Sequence, residues 1–349
     1  MSGPRFGVWA LEEGCFGSPH HPEDPHDARW ERVRDQVLLA EELGYDSTLI
    51  AQLFISPFGE DYDQGEAWSL AAALAALTSR IELIAAVKPY SYPPGVLAKM
   101  ALQIEEISGG RFAVNLVNGW FATEARRLGL TFGDRDERYA YGREWITIVR
   151  ELLTGGPSTF QGRWFRTDGY RPRPVSRWRD RPKIYSGGES EPARALAADA
   201  CDAWFINGQP LERVAALIED VRARPRIGPP VEFGMAAFVI ARDTDAEAAD
   251  ALAYAWEISK RDRLEQEWIS GQVAPDVQMF KTFEEFPHIG TNGGTAAGLV
   301  GSYDTVARRV EEFHDAGIDL FMLQFQPFEA EMSRFAEHVL CRVKGRVRA

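Results

Sequence analysis

Short apolar stretches and longer amphipathic ones alternate along this chain, with glycine, proline and asparagine at the joints. Apolar runs with strand character predict strands at residues 6–11, 46–52, 81–87, 111–117, 184–185, 203–206, 231–241 and 320–325. Apolar positions spaced by three and four predict helices at 29–43, 67–77, 96–107, 137–153, 192–200, 211–223, 306–316 and 329–343. The run 81–87 is nearly all apolar, as expected of a strand buried on both faces. Strands alternating with helices imply right-handed crossovers and a parallel sheet. The eight strand candidates favour an α/β fold, a single (β/α)8 TIM barrel over residues 1–349, above an open doubly wound sheet.

Two stretches break the rhythm. Residues 154–183, rich in Gly, Pro and Arg around Trp164-Phe165, predict a small hairpin excursion. Residues 259–299 end in Gly290-Thr291-Asn292-Gly293-Gly294, and an insertion of that length near the C-terminal ends of the strands predicts a lid.

In a barrel, the residues that follow each strand face the catalytic mouth. That rule selects Gln52, Ala86, Lys88, Asn115, Asn118, Ser186-Gly187-Gly188-Glu189-Ser190, Asn207 and Gln324. The set is polar but holds no nucleophile–base pair, and the chain has no GxSxG, HExxH, Walker or GxGxxG motif. Between a strand and a helix, Gly187-Gly188 let the backbone approach a ligand while helix N–H groups face it and Ser190 adds a hydroxyl. The competing reading is an ordinary serine cap on that helix. Arg138 and Tyr139, opening another helix, offer a guanidinium and a phenol to the same anion, and the two elements together point to a phosphate-bearing cofactor. Asn115 ends an apolar strand, where a carboxamide presents donor and acceptor to a heterocycle's edge. Asn118-Gly119 also reads as a plain tight turn.

The histidines are poorly placed for a metal cluster, and no metal is expected. His20, His21 and His26 lie in a proline-punctuated loop, His288 in the lid, and His314 and His338 within helices. A net charge of −13 argues against nucleic-acid or anionic-membrane surfaces, so Arg171, Arg173, Arg177, Arg179 and Arg181 read as a solvated loop. No secretory leader pattern opens the chain, and no apolar run reaches the ~18 residues that span a bilayer. Cys15, Cys201 and Cys341 are odd in number and far apart, which suits reduced thiols in a cytoplasm.

Several of these segments occur in a familiar order. Ser108-Gly109-Gly110-Arg111 leads into Asn115-Leu116-Val117-Asn118-Gly119-Trp120, then Glu124 and Glu137-Arg138-Tyr139. Thr159-Phe160-Gln161-Gly162, Ser186 to Ser190, Phe238 to Asp243, Leu299-Val300-Gly301-Ser302 and Ala316-Gly317-Ile318-Asp319 follow. In that order, over essentially the whole chain, they resemble the bacterial luciferase-like flavin monooxygenases, above all dimethyl-sulfone monooxygenases and pyrimidine oxygenases. The resemblance implies a TIM-barrel homodimer or homotetramer that takes FMNH2 from a separate NAD(P)H:FMN reductase. With O2 as oxidant it would act through a flavin peroxide on a small molecule such as a sulfone, sulfonate, amide or lactam, cleaving a C–S or C–N bond.

The resemblance also assigns roles. Asn115 and Ala86 would lie at the flavin ring, with Gln52 and Glu124 at further flavin positions. Arg138, Tyr139, Gly187, Gly188, Glu189 and Ser190 would hold the phosphate end. Asn115, Asn118 and Lys88 would be the catalytic groups, with Gln324 and the N-terminal histidines as further substrate contacts. This chain departs from the relatives at Leu53, where they carry a basic residue, at Lys88, where they are uncharged, and in the loop 14–27. An F420-dependent oxidoreductase of the same fold and a non-catalytic flavin-binding homologue are the competing readings.

Overall fold

The computed structural model describes residues 3–273 and 278–347. Eight parallel strands close a barrel in the order β1 (Arg5–Trp9), β2 (Ser47–Ile50), β3 (Glu82–Val87), β4 (Phe112–Leu116), β7 (Lys183–Gly187), β8 (Ala203–Ile206), β9 (Glu232–Phe238) and β12 (Leu320–Gln324), which returns to β1. An antiparallel hairpin, β5 (Ser158–Gln161) and β6 (Arg166–Tyr170), fills the predicted excursion. A separate parallel pair is formed by β10 (Ile240–Arg242) and β11 (Val300–Ser302). The helices are α1 (Trp30–Glu42), α2 (Ala67–Leu77), α3 (Pro94–Ser108), α4 (Ala122–Arg127), α5 (Arg135–Leu153), α6 (Glu191–Ala200), α7 (Leu211–Arg222), α8 (Asp245–Ser259), α9 (Arg263–Ser270), α10 (Gln278–Glu285), α11 (Tyr303–Asp315) and α12 (Phe328–Phe335). Among the described residues no helix is long and apolar enough to cross a membrane.

Strand alternation divides the core in two. Inward side chains Leu49, Ile84, Ala113, Tyr185, Ala203, Phe205, Leu320 and Met322 fill the barrel, while outward ones such as Val8, Leu83, Val114 and Trp204 pack under the helices. Tyr185 and Phe205 stack at 5.2 Å, and Gly234 is small because a Cβ there would lie 2.4 Å from the Phe205 ring. The lower end is closed by charge. Arg5 and Lys183 both reach Glu232, at 2.6 and 2.5 Å, and the Tyr185 hydroxyl donates to Glu82 at 2.9 Å. Polar groups at that end serve stability, and the upper end is left for chemistry.

All eight predicted strands are present, with four departures from the expected pattern. Residues 231–241 do not form one strand. The chain leaves the barrel at Val239, whose N–H still bonds to Gln324, and Ile240 turns outward to bond to Leu299. Apolar patterning missed this break because Ile240 is buried too, against Ala248 and Ile289 outside the barrel. Helix α8 was also not anticipated; it is alanine-rich with few buried positions, although Thr244 and Glu247 form a capping box at its start. The arginine loop is less solvated than expected. Arg179 forks onto fully buried Glu105 with two bonds of 2.8 Å, and Arg181 pairs with Asp202 at 2.6 and 2.8 Å. The closing helix begins as expected but passes through a π turn at Ala336–Leu340.

Truncating the ring that fills the barrel, Phe205→Ala, is expected to cost about 3–5 kcal/mol. A fall in the urea unfolding midpoint is the check, and an unchanged midpoint would contradict a packed interior.

Candidate active site

Asn115 is two residues beyond inward-facing Ala113, so it also faces the interior, in register with Ala86 on β3 and Tyr185 on β7. Its Oδ1 is buried without a hydrogen-bond partner. Such an atom costs free energy unless a ligand completes it. Beyond the strand, Asn118 Oδ1 and the Tyr90 hydroxyl are likewise buried and unpartnered. Two glycines make room for them. A Cβ at Gly142 on α5 would lie 2.0 Å from Asn118 Oδ1, and one at Gly119 would lie 2.7 Å from the Tyr90 ring.

The N-termini of α5 and α6 meet at Tyr139 and Ser190, whose side chains neighbour each other. Ser190 is the N-cap residue of α6 yet makes no side-chain cap bond, and its Oγ is buried without a partner. The ordinary-cap reading therefore fails here, and the hydroxyl remains available to a ligand. Gly188 has φ +104°, and a Cβ there would sit 3.1 Å from the Tyr139 oxygen. Trp204 Nε1 fixes this turn by donating to the Gly188 carbonyl at 2.8 Å. Arg138 lies 4.3 Å over the Phe132 ring and donates to the Gly133 carbonyl at 2.7 Å. Glu189 turns the other way. Its carboxylate accepts from Asn207 N and Gln209 Nε2, both at 2.8 Å, and burial pushes its pKa up to about 6. Only the backbone of Glu189 is left to serve the anion site. Orphaned hydroxyl and carboxamide groups with a glycine turn at two helix N-termini fit a cofactor carrying a phosphate and a heterocycle.

The mouth above β1, β2 and β3 has a different character. Lys88 and Glu124 form a fully buried ion pair. Glu124 also accepts from Phe54 N at 2.6 Å, and Gln52 Oε1 accepts from Lys88 N at 2.7 Å. Burial lowers the Lys88 pKa against the pull of Glu124. Leu53 is buried beside this group, so the positive charge here belongs to Lys88 and is matched internally.

Sequence reasoning missed Glu12 and Glu13, which follow β1 on a single 3-10 turn and are buried at the same mouth. Glu12 ties β1 to β2 by accepting from Ala51 N, and burial holds it well above the ordinary carboxylate range, helped by the charge of Glu13. Glu13 is pushed up to about 7 by burial, opposed by Lys88. Two acids directly after an apolar strand were the available signal. It was lost because strand 6–11 was drawn through Leu11, and Tyr90 was hidden in a proline-flanked turn.

Gln324 and the histidines of the expected substrate side are engaged with neighbouring loops. Gln324 spends its amide on the glycine-rich segment, accepting from Thr291 N at 3.0 Å and donating to Thr291 Oγ1 at 2.8 Å. His288 bonds to the Phe286 carbonyl at 2.7 Å and sits edge-on to Phe283. His21 packs on Tyr254, His26 on Tyr62 and Phe58, and His20 bonds to Glu265 in α9 at 3.0 Å. Residues 274–277 of the expected lid lie outside the described residues.

A closed parallel barrel whose mouth carries buried, unpartnered polar groups defines an α/β-barrel protein with chemistry suited to a cofactor. The sequence profile of the family described as luciferase-like monooxygenase matches residues 5–320, and the chain belongs to that family. It is 33% identical over 99% of its length to an FMNH(2)-dependent dimethylsulfone monooxygenase of Pseudomonas putida, covering 96% of that protein. A protein of the same description from Pseudomonas fluorescens (strain Pf0-1) is 32% identical, over 89% of this chain and 86% of its own. Among solved structures, DmoA from Hyphomicrobium sulfonivorans superposes with a TM-score of 0.81 at 18% identity, covering 100% of this chain and 89% of DmoA.

Two outcomes follow from the mouth. Lys88→Met alone leaves Glu124 buried and unpaired and should cost about 3–5 kcal/mol, whereas Lys88→Met with Glu124→Gln should cost far less. Additive losses in a double-mutant cycle would contradict the pair. Glu13 has its folded-state pKa raised, so its contribution is favourable at acid pH and is lost as pH rises through about 7. Glu13→Gln should therefore be more stable than the parent at pH 8 and nearly equal to it below pH ~4, where the Glu13 carboxyl is mostly protonated in both the folded and unfolded states. Urea midpoints at both pH values test this, and an equal difference at each would reject it.

Proposed function

We propose that the chain is an FMNH2- and dioxygen-dependent monooxygenase, the oxygenase component of a two-component system, acting on a small organic molecule. The observation that carries this reading is the set of buried, ligand-seeking groups that includes Ser190 Oγ beside Tyr139 and Asn115 Oδ1 on the barrel wall. Their chemistry suits a phosphate at one end and a heterocycle at the other. Family membership, with relatives described as FMNH(2)-dependent, favours FMN among such cofactors.

When bound, reduced FMN supplies the electrons that activate dioxygen. The chain's own residues bind and orient it. Arg138, Tyr139, Ser190 and the Gly187-Gly188 backbone hold the phosphate, where two helix N-termini favour negative charge. Asn115 and Asn118 present carboxamides to the polar edge and the reacting oxygen, and the methyl of Ala86 leaves space against the ring. Gln52, Lys88 and Glu124 build a rigid polar floor towards the substrate side. The lid, fastened through Gln324, excludes water from the reaction. Sulfones, sulfonates, amides and lactams are the substrate classes, with cleavage of a C–S or C–N bond. A separate NAD(P)H:FMN reductase would deliver the cosubstrate to a homo-oligomer.

Ser190→Ala and Arg138→Ala should each weaken FMN binding by about tenfold or more, the scale of one hydrogen bond to a charged group. Riboflavin, which lacks the phosphate, should bind parent and variants alike. Fluorescence titration with both ligands measures this, and equal losses for the two would remove the phosphate site. For the reaction, the chain is supplied with FMN, NADH, a generic flavin reductase and 18O2, and offered dimethylsulfone, alkanesulfonates, lactams and amines. One labelled oxygen in a substrate-derived product is the expected result. Tight binding of F420 with no response to FMNH2 would move the chain to the deazaflavin reading.

A further inference from the structure

We propose that His20, Asp262 and Glu265 form a binding site for a divalent transition-metal ion that clasps the lid to the loop after β1. His20 belongs to that loop; Asp262 and Glu265 lie one turn apart at the start of α9. One ligand atom from each residue lies within 4.8 Å of the others. This juxtaposition joins segments 245 residues apart, which is why the sequence showed no metal spacing.

The electrostatics of the cluster are incomplete without a cation. Asp262 and Glu265 are each only 8% exposed. Neither is paired with a lysine or arginine among the described residues. Arg263, their neighbour in sequence, turns away to Glu267. The Asp262 carboxylate accepts from the Ser18 hydroxyl at 2.5 Å, and Glu265 Oε1 accepts from Tyr62 at 2.7 Å and faces His20 Nε2 at 3.0 Å. Burial raises the Asp262 pKa against the Ser18 bond and His20, whereas for Glu265 burial is outweighed by the bonds from Tyr62 and His20, which lower it. Two adjacent buried carboxylates without a fixed counter-charge are unfavourable unless a proton or a metal ion neutralises them. The Glu265 side chain is nine-tenths buried, and its second oxygen, Oε2, has no partner at all. An open acceptor beside an imidazole and a second carboxylate is what a metal ion completes.

The donor set selects the ion. One imidazole with two carboxylates suits zinc, manganese or iron(II), whereas calcium and magnesium prefer all-oxygen shells. Ser18 and Tyr62 act as outer partners that orient the carboxylates. Three protein ligands leave a coordination position for water. His20 borders a surface depression of about 500 Å³ lined also by Pro19, His21 and Arg261, which provides the entry path. The ion would cross-link the lid to the barrel without touching the flavin end, so this proposal stands apart from the proposed reaction.

The test uses the full chain, stripped with a chelator and titrated with Zn2+ by calorimetry, with Ca2+ and Mg2+ in parallel. One equivalent of Zn2+ should bind, Ca2+ and Mg2+ should bind far more weakly, and a saturating excess should raise Tm by roughly 3–5 °C. Asp262→Asn and Glu265→Gln should abolish the binding and the shift. His20→Asn, at a side chain 40% exposed that unfolding cannot explain, should weaken binding at least tenfold. Circular dichroism confirms that each variant is folded. Absence of stoichiometric Zn2+ binding, or binding unchanged in all three variants, overturns the proposal.

Discussion

Everything at the mouth depends on the closure of eight parallel strands into a barrel whose inner and outer faces are both buried. A one-residue slip would turn Asn115 out under the helices and bring Leu116 inside, so packing on two sides holds the register. That register places Ala86, Asn115 and Tyr185 side by side on adjacent strands. The Asn115 carboxamide stands in that wall near the end of β4, with its Oδ1 buried and without a hydrogen-bond partner. The charged cluster of Arg5, Glu82, Lys183 and Glu232 seals the opposite end.

The mouth itself is divided electrostatically. Towards α5 and α6, helix N-termini, the Arg138 guanidinium and hydroxyl groups make a surface that favours an anion. Towards β1, β2 and β3, Glu13 and Glu124 face Lys88, with Glu12 beside Glu13, in a setting where burial raises the Glu12 and Glu13 pKa values and lowers that of the lysine. The acids tie the βα loops together through backbone N–H groups, as Glu12 does at Ala51 and Glu124 at Phe54. These buried carboxylates therefore hold the walls of the mouth in place.

The insertion after β9 has its own frame. The chain leaves the barrel wall at Val239, pairs β10 with β11 outside, and returns through glycines too crowded for any side chain; a Cβ at Gly293 would lie 1.9 Å from the Gly208 carbonyl oxygen. Gln324 fastens its glycine-rich segment at one side, and Ser18, His20 and Tyr62 contact Asp262 and Glu265 at the other. The loop after β1 therefore contributes both to the buried acids of the mouth and to these contacts.

The barrel was legible in the sequence because strands buried on both faces leave near-continuous apolar runs, and helices between them leave a period of three to four. The meeting of two helix starts was legible too, since Gly187-Gly188-Glu189-Ser190 and Arg138-Tyr139 each sit at a local strand-to-helix or helix-start signal. Local pattern could not decide whether the Ser190 hydroxyl caps its helix, because capping and ligand binding call for the same residue; the folded chain leaves that cap bond unmade. Nor could it show that Glu189 and Gln324 are engaged by neighbouring loops, that Lys88 is matched by Glu124, or that His20 meets Asp262 and Glu265. Those pairings join residues far apart in sequence, and burial and charge balance across the folded mouth, which no window of sequence contains, determine them.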